Sequence, residues 1–339
     1  MSKDYSVETL PVSKWAEWNT FVTETPQGTI FHRSEWLSAL TKNLSILVCR
    51  GKSGQIVGGI PLVERKNGWY RVFSPPALAP YAGLVLSEPR SNKLVARYAE
   101  QKEKAVTLLE AIPQLARVSF PLHISNTDAQ PLQWLGYSVT LAHTYCIDAS
   151  RSVEEVWENL ETRSPIRKAE KAGIVVKTTD DIGELLPLLA MTFDRQGKSL
   201  PNDESYYRRL WKAACELGSG RIYMAYGPDG APHAGLMIVW DPRSSYYLLG
   251  GGDPDKRNSC AGVLAVWEAI KDSLNEGRTF NFEGSTLPGV ELYFRGWGGT
   301  LYPIIQAEKV TSLFLGMLLA ANRARMRRRL TREFCERRK

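Results

Sequence analysis

Apolar positions along this chain switch repeatedly between two periods. Short β-type runs occupy Tyr5–Leu10, Ser45–Arg50, Ile56–Glu64, Tyr70–Phe73 and Gly83–Leu86, with Gly51-Lys-Ser-Gly54 and Lys66-Asn-Gly68 as hairpin turns. Helical spacing governs Val12–Phe21, Ser34–Leu40 with Ser34 as its N-cap, and a longer stretch, Asn92–Ala111, that stops before Pro113. Arg117–Phe120 predicts a strand, Leu132–Leu135 a helical turn and Tyr137–Ile147 another strand.

The second half begins at Ser152-Val-Glu-Glu155, a capping box, with Val153, Val156, Trp157 and Leu160 at helical spacing behind it. Ser164-Pro165 reads as an N-cap and first helical position, and Gly173 as the stop. Ile174–Thr178 predicts a strand. Leu185, Leu186, Leu189 and Phe193 share a helical face, and Pro187 predicts a later start for that helix. Tyr206–Leu217 is helical. Strands Arg221–Tyr226, His233–Trp240 and Ser245–Leu249 are parted by Gly227-Pro-Asp-Gly230 and Asp241-Pro242. A helix over Val263–Leu274 ends at Gly277, and strands Phe280–Phe282 and Leu301–Ile305 follow.

Each half therefore runs strand, two helices, antiparallel meander, helix, strand, short helix, strand. The halves share this order without sequence identity, and Asp148–Val153 reads as the seam. A length of 339 residues fits two domains, and the ordinary composition excludes collagen-like and wholly disordered classes. Charge is distributed less evenly. The net +7 lies entirely in residues 323–339, whose nine cations (Arg323, Arg325, Arg327, Arg328, Arg329, Arg332, Arg337, Arg338 and Lys339) face only Glu333 and Glu336. The body is neutral, which argues against a nucleic-acid groove there. The tail suits an anionic surface or, equally, a solvated helix end.

Five scattered cysteines without a C-x-x-C, and four histidines without ligand spacing, predict neither a disulfide framework nor a metal site. Leu313–Ala321 is too short to span a bilayer, and the charged N-terminus carries no secretory h-region, so the expected location is cytoplasmic.

Common catalytic motifs are missing. Both G-K-S tripeptides lack the glycine of a P-loop, having Ile46 and Thr192 in its place, and no G-x-S-x-G, H-E-x-x-H or G-x-G-x-x-G occurs. Two segments remain. Gly250–Gly262 leads from a strand into a helix, and its glycines, free N–H groups, Lys256 and Arg257 suit a phosphate or pyrophosphate; an ordinary capped turn is the alternative. In Phe282-Glu283-Gly284-Ser285, Glu283 ends a strand, where a carboxylate accepts a proton or holds an ammonium. Arg295, between Phe294 and Trp297, suits phosphate or carboxylate, against a plain reading of the aromatics as packing at a sheet edge.

Four segments carry a family resemblance: Phe31-His-Arg-Ser-Glu-Trp-Leu-Ser-Ala-Leu40, Ser164-Pro-Ile-Arg-Lys-Ala-Glu-Lys-Ala-Gly173, Asn281-Phe-Glu-Gly-Ser285 and Gly289-Val-Glu-Leu-Tyr-Phe-Arg-Gly-Trp-Gly-Gly299. With the order of elements, the chain resembles the Fem-like branch of the GNAT acyltransferases. That implies an α/β (α+β) fold of tandem GNAT-like domains, each a mixed, mostly antiparallel sheet flanked by helices, plus a basic C-terminal helix. The domains would be 1–148, completed by helix 309–335, and 149–308, with 323–339 as a basic tail. The resemblance also implies that the stripe Val310, Leu313, Phe314, Met317, Leu318 and Ala321 packs as core on the first half.

Functionally the resemblance implies amide formation on an amine acceptor such as a peptidoglycan precursor. The donor would be aminoacyl-tRNA or acyl-CoA, with no tightly bound cofactor. The Q/R-x-x-G-x-G/A pyrophosphate register reads Arg257-Asn-Ser-Cys-Ala-Gly262, and Cys260 in place of the first glycine favours tRNA over CoA. Donor phosphates would meet Gly252, Arg257, Ser259 and Gly262. The expected base is Glu283, with Tyr81 or Tyr247 as the acid. Substrate-lining candidates are His32 and Trp36, Arg167 and Lys168 (100° apart on a helix, so that only one lines the cleft), Arg195, Gln196, Lys198 and Ser285. Tyr293, Phe294 and Arg295 would meet the tRNA acceptor end. The basic tail would touch lipid headgroups at the inner face of the membrane, or tRNA. An acyl-CoA N-acyltransferase and a non-catalytic RNA- or membrane-docking module are the alternatives.

Overall fold

The computed structural model describes residues 4–195, 197–284 and 287–336, and the chain divides into two units, Met1–His143 with Pro303–Lys339, and Thr144–Tyr302. In chain order the first half forms β1 (Ser6–Thr9), α1 (Trp15–Glu24), α2 (Ser34–Leu40), β2 (Leu44–Arg50), β3 (Ile56–Asn67), β4 (Tyr70–Phe73), β5 (Val85–Leu86), α3 (Leu94–Glu110), β6 (Arg117–Pro121), α4 (Gln130–Trp134) and β7 (Ser138–Ile147). The second half forms α5 (Val153–Glu158), α6 (Arg163–Lys171), β8 (Val175–Thr179), α7 (Ile182–Asp194), α8 (Glu204–Glu216), β9 (Gly220–Tyr226), β10 (Pro232–Trp240), β11 (Ser244–Gly252), α9 (Ala261–Asn275), β12 (Thr279–Asn281), α10 (Pro288–Arg295), β13 (Thr300–Val310) and α11 (Leu313–Glu336).

Within the first unit the strands run β1-β2-β3-β4-β6-β13, with β5 on β3, and only β4/β6 is parallel. Within the second they run β7-β12-β11-β10-β9-β8, and only β11/β12 is parallel. Each unit thus carries a mostly antiparallel run of strands with one parallel pairing, the tandem architecture the resemblance implies. The first core is built on Trp18, Phe73, Phe120 and Leu108; the second gathers Phe280, Phe282, Phe294, Trp297, Trp267 and Ile270. Burying each large aromatic contributes about 2–3 kcal/mol before chain entropy is counted.

Three expectations change. Helix α7 starts at Ile182, ahead of Pro187, because the Asp181 carboxylate accepts from the Gly183 N–H at 2.7 Å and caps it there. Ser34 is the first residue of α2 and not its cap; its Oγ accepts instead from Asn19 Nδ2 at 2.8 Å. The third concerns α11: Leu313, Phe314, Met317 and Leu318 are exposed, so the stripe is not core, and only Leu315 of this segment is buried.

Candidate active site

The parallel ladder of β11 and β12 holds for three residue pairs, Ser244–Thr279, Ser245–Phe280 and Tyr246–Asn281. The two strands then part company. Past Asn281 the chain stays with β7, where the Phe282 N–H donates to the Tyr145 carbonyl at 3.1 Å, while β11 stays paired to β10 out to Gly252. One edge of β11 from Tyr247 onward therefore has no strand partner among the described residues, and its peptide groups border an opening.

β11 is irregular at this point. Tyr247 pairs with Ile238 and Leu249 with Met237, so Leu248 is an inserted, bulged residue. In a regular strand residues three apart point to opposite faces. The bulge cancels that alternation and puts Tyr247 and Gly250 on one face. The Tyr247 hydroxyl fills the place where a Cβ on Gly250 would sit, and a Cβ on Gly251 would collide with the backbone of Leu188 in α7. The two glycines thus admit a phenol and a helix to the same strand.

The cleft beside this edge measures about 430 Å³ and is bordered by Gly250–Asp253, the 3-10 turn Pro254–Ser259, the start of α9, Arg195, Tyr247 and Tyr293. Asp253 caps the turn, accepting from Asp255 N at 2.9 Å. Cys260 occupies the left-handed region (φ 57°) between the turn and α9, and it gives α9 no side-chain cap. Gly262 lies in the first turn of α9, with Arg257 and Lys256 beside it; Lys256 is 3.5 Å from Asp229. Helix-terminal N–H groups plus these cations suit a phosphate-bearing ligand.

Two residues of this cleft were not candidates in sequence, Thr192 and His233. His233 is buried, and its Nδ1 lies 3.0 Å from Ser259 Oγ, which itself donates to the Lys256 carbonyl at 2.7 Å. With that hydroxyl proton committed, the contact is an Nδ1–H donation, and Nε2 lies 3.8 Å from the Asp229 carboxylate. Thr192 Oγ1 accepts from Gly252 N at 3.0 Å and pins α7 to β11. Counting back along both strands from the Asp241–Ser244 turn pairs His233 with Gly252; the bulge at Leu248 moves its partner to Asp253, whose N–H donates to the His233 carbonyl at 2.9 Å.

Glu283 sits at the end of the diverging chain. Its backbone is left-handed (φ 58°), as is that of Gly284 (φ 75°), a conformation that costs a non-glycine about 1–2 kcal/mol. The turn is held by Asn281, whose Oδ1 accepts from Glu283 N and from Thr144 Oγ1, each at 2.8 Å. Oε1 of Glu283 is enclosed without a hydrogen-bond partner among the described residues, and burial pushes the carboxyl well above its usual range. Tyr247 is likewise pushed up to about 12 by burial, so it keeps its proton at neutral pH. The Tyr293 hydroxyl is raised as well, by burial and by the neighbouring Tyr247.

The other candidates spread more widely. Phe294 is core, with Phe282 at 5.1 Å and Tyr247 at 6.0 Å between ring centroids. Arg295 is an exposed residue of α10 that faces Glu291 at 3.5 Å. Pro288 at the first helical position makes 288–295 a helix, so these aromatics do not form a sheet edge. Neither Arg167 nor Lys168 is among the residues lining the cleft beside β11, against the expectation that one would be; both border a separate shallow groove with Arg163, Lys171, Glu158 and Glu161. Arg167 also lies over the Trp157 ring at 5.5 Å. Lys198 is exposed beyond α7, away from the cleft lining. Gln196 and Ser285 lie outside the described residues.

Tyr81, His32 and Trp36 belong to the first unit and are buried. His32 Nδ1 contacts Thr29 Oγ1 at 2.8 Å, burial lowers the ring to about 3, and Trp36 Nε1 donates to the Leu78 carbonyl at 3.1 Å. All three are core groups here. The first unit has its own parallel junction, β4/β6, but Gly83 is pressed against the Pro121 carbonyl at the end of β6, next to the left-handed Tyr81. That junction is covered, whereas the β11/β12 junction is open.

Residues 160–295 match the acetyltransferase (GNAT) domain family, and the open junction lies within that matched segment. No curated protein matches the chain in sequence. Among solved structures, the chain is similar to FemX (17% identity, 92% of this chain and 99% of that one, TM-score 0.69). It is also similar to a tandem GNAT protein from the clavulanic acid biosynthesis pathway (11% identity, 91% and 99%, TM-score 0.54). A third similar structure is L-PGS from Bacillus licheniformis (13% identity, 93% and 97%, TM-score 0.53). At these identities the likenesses show the fold, shared with FemX and with the tandem GNAT protein.

Proposed function

We propose that this protein forms an amide by transferring an aminoacyl group from aminoacyl-tRNA to an amine acceptor, such as that of a peptidoglycan precursor. The observation that carries this reading is the open edge of β11 beyond Tyr246, with Tyr247 lining the cleft and Glu283 two residues past the end of the diverging β12. A donor carbonyl laid along that edge accepts a hydrogen bond from a backbone N–H, which stabilises the oxyanion as the amine nitrogen attacks. The neutral amine attacks, and Glu283 takes the surplus proton from the nitrogen of the adduct and passes it to solvent; a carboxyl with a raised pKa is the stronger base. The carbon–oxygen bond of the ester then breaks, and the leaving ribose oxygen takes the Tyr247 proton, which solvent restores. Positioning alone supplies up to about 7–11 kcal/mol of such a barrier.

The basic groove on α6 and the cations beside α9 support a polyanionic donor, and Cys260 crowds the turn where a pyrophosphate would want glycine. The second reading, an acyl-CoA N-acyltransferase, is favoured by the same Arg257–Gly262 turn. Parallel incubation with labelled aminoacyl-tRNA and with acetyl-CoA, read as thermal stabilisation and donor hydrolysis, separates the two. A response to aminoacyl-tRNA alone supports the first; saturable CoA binding abolished by Arg257→Ala supports the second.

A further inference from the structure

We infer that α11 is a docking element for anionic lipid headgroups, lying in the surface of a membrane. Its first three turns are apolar and turned to solvent: Leu313 is 87% exposed, Phe314 57%, Met317 66% and Leu318 48%. At 100° per residue these four side chains fall within one 140° sector, and Arg325, Arg328 and Arg332 continue the same sector toward the C-terminus, with Arg329 about 20° beyond its edge. One helix face is thus oily for two to three turns and strongly cationic for the next two.

Charge complementarity selects the occupant. Polyanionic RNA would take the arginines but leaves Leu313, Phe314 and Met317 in water. A second copy of the helix in parallel would set arginine against arginine, and in antiparallel it would set arginine against leucine. A headgroup layer over acyl chains satisfies both halves together, with arginines at phosphates and the apolar turns at the acyl boundary. The protein body is electrically neutral, so α11 supplies the attraction. Among the described residues no helix is long and apolar enough to cross a membrane, so α11 lies on the bilayer and does not span it.

The test is sedimentation of the full chain with vesicles of phosphatidylcholine alone or containing one third phosphatidylglycerol, at low and high salt. The expected result is binding only to the phosphatidylglycerol vesicles, weakened by salt. Each basic residue near such a surface is worth about fivefold, so Arg325→Glu with Arg328→Glu should lower binding tenfold or more. Leu313→Asp with Phe314→Asp should do the same while the melting temperature of the body stays put, since these side chains are exposed. Equal binding to both vesicle types, or variants that bind like the parent, overturns the inference. So does a dimer in solution that the Leu313→Asp/Phe314→Asp pair dissolves.

Discussion

Tyr247 and Gly250 lie on the same face of β11, with the tyrosine hydroxyl in the space that any side chain at position 250 would need. A single inserted residue, Leu248, produces that relationship. It sets the phenol at the point where β11 loses its parallel neighbour, and it makes the glycine a condition for the phenol's position.

Gly250→Ala should therefore displace Tyr247 without unfolding the protein. Overpacking of this kind costs about 1–3 kcal/mol of stability, and a shift of about 1 Å in a reacting group costs on the order of a hundredfold in rate. The expected outcome is a circular dichroism spectrum like the parent's and a kcat lower by about two orders of magnitude. An unchanged kcat would remove Tyr247 from the mechanism.

Glu283→Gln tests the base. The expected loss in kcat is about 10²- to 10⁴-fold. The stability effect has a defined sign: the folded-state pKa is raised, so the folded protein binds the extra proton and loses stability as pH climbs from the unfolded carboxylate range through the raised value. The glutamine variant escapes this loss. Its melting temperature should exceed the parent's at pH 8, and the difference should shrink toward pH 4.

The pH–rate profile follows from the same two groups. Its acid limb should fall above the ordinary carboxylate range, because Glu283 must lose its proton to act. No basic limb from Tyr247 should appear below pH 10, since burial holds that hydroxyl near 12. A rate profile flat from pH 4 upward would contradict the assignment of Glu283.

Cys260→Gly should stabilise the protein. The residue is left-handed at the junction of turn and helix, a conformation costing L-residues about 1–2 kcal/mol that glycine adopts freely. Part of that gain is offset by the added freedom of the unfolded chain, so a rise of about 2–4 °C in melting temperature is expected.

Much of the architecture could be read from the sequence. Ser152-Val-Glu-Glu155 announced the start of α5, and its reciprocal cap is present: Glu155 N donates to Ser152 Oγ at 3.1 Å, and the Ser152 N–H to Glu155 Oε2 at 2.9 Å. The glycine–aspartate turns marked the β9-β10-β11 meander, whose pairing is local. What stayed hidden depends on contacts between distant residues. Helix α7 is set by the cap at Asp181 and not by Pro187. The stripe on α11 has the spacing of core residues, and spacing cannot tell a packed face from a bare one. At the site, Arg257 and Glu283 stood out by their motifs, whereas Tyr247 was one of two tyrosines offered as the acid, and the bulge that aligns it with Gly250 is a register property. His32, Trp36 and Tyr81 sit in a motif-bearing half whose own junction is covered by the Tyr81–Gly83 turn.

The central claim is that acyl transfer takes place at the divergence of β11 and β12. A single-turnover assay of amide formation, with radiolabelled aminoacyl-tRNA and a peptidoglycan precursor peptide, tests it most directly when the parent, Glu283→Gln and Gly250→Ala are run side by side. The account predicts label in the peptide amide with the parent and at least a hundredfold slower transfer with both variants, while all three still bind the donor. Transfer at the parent rate by both variants would contradict it.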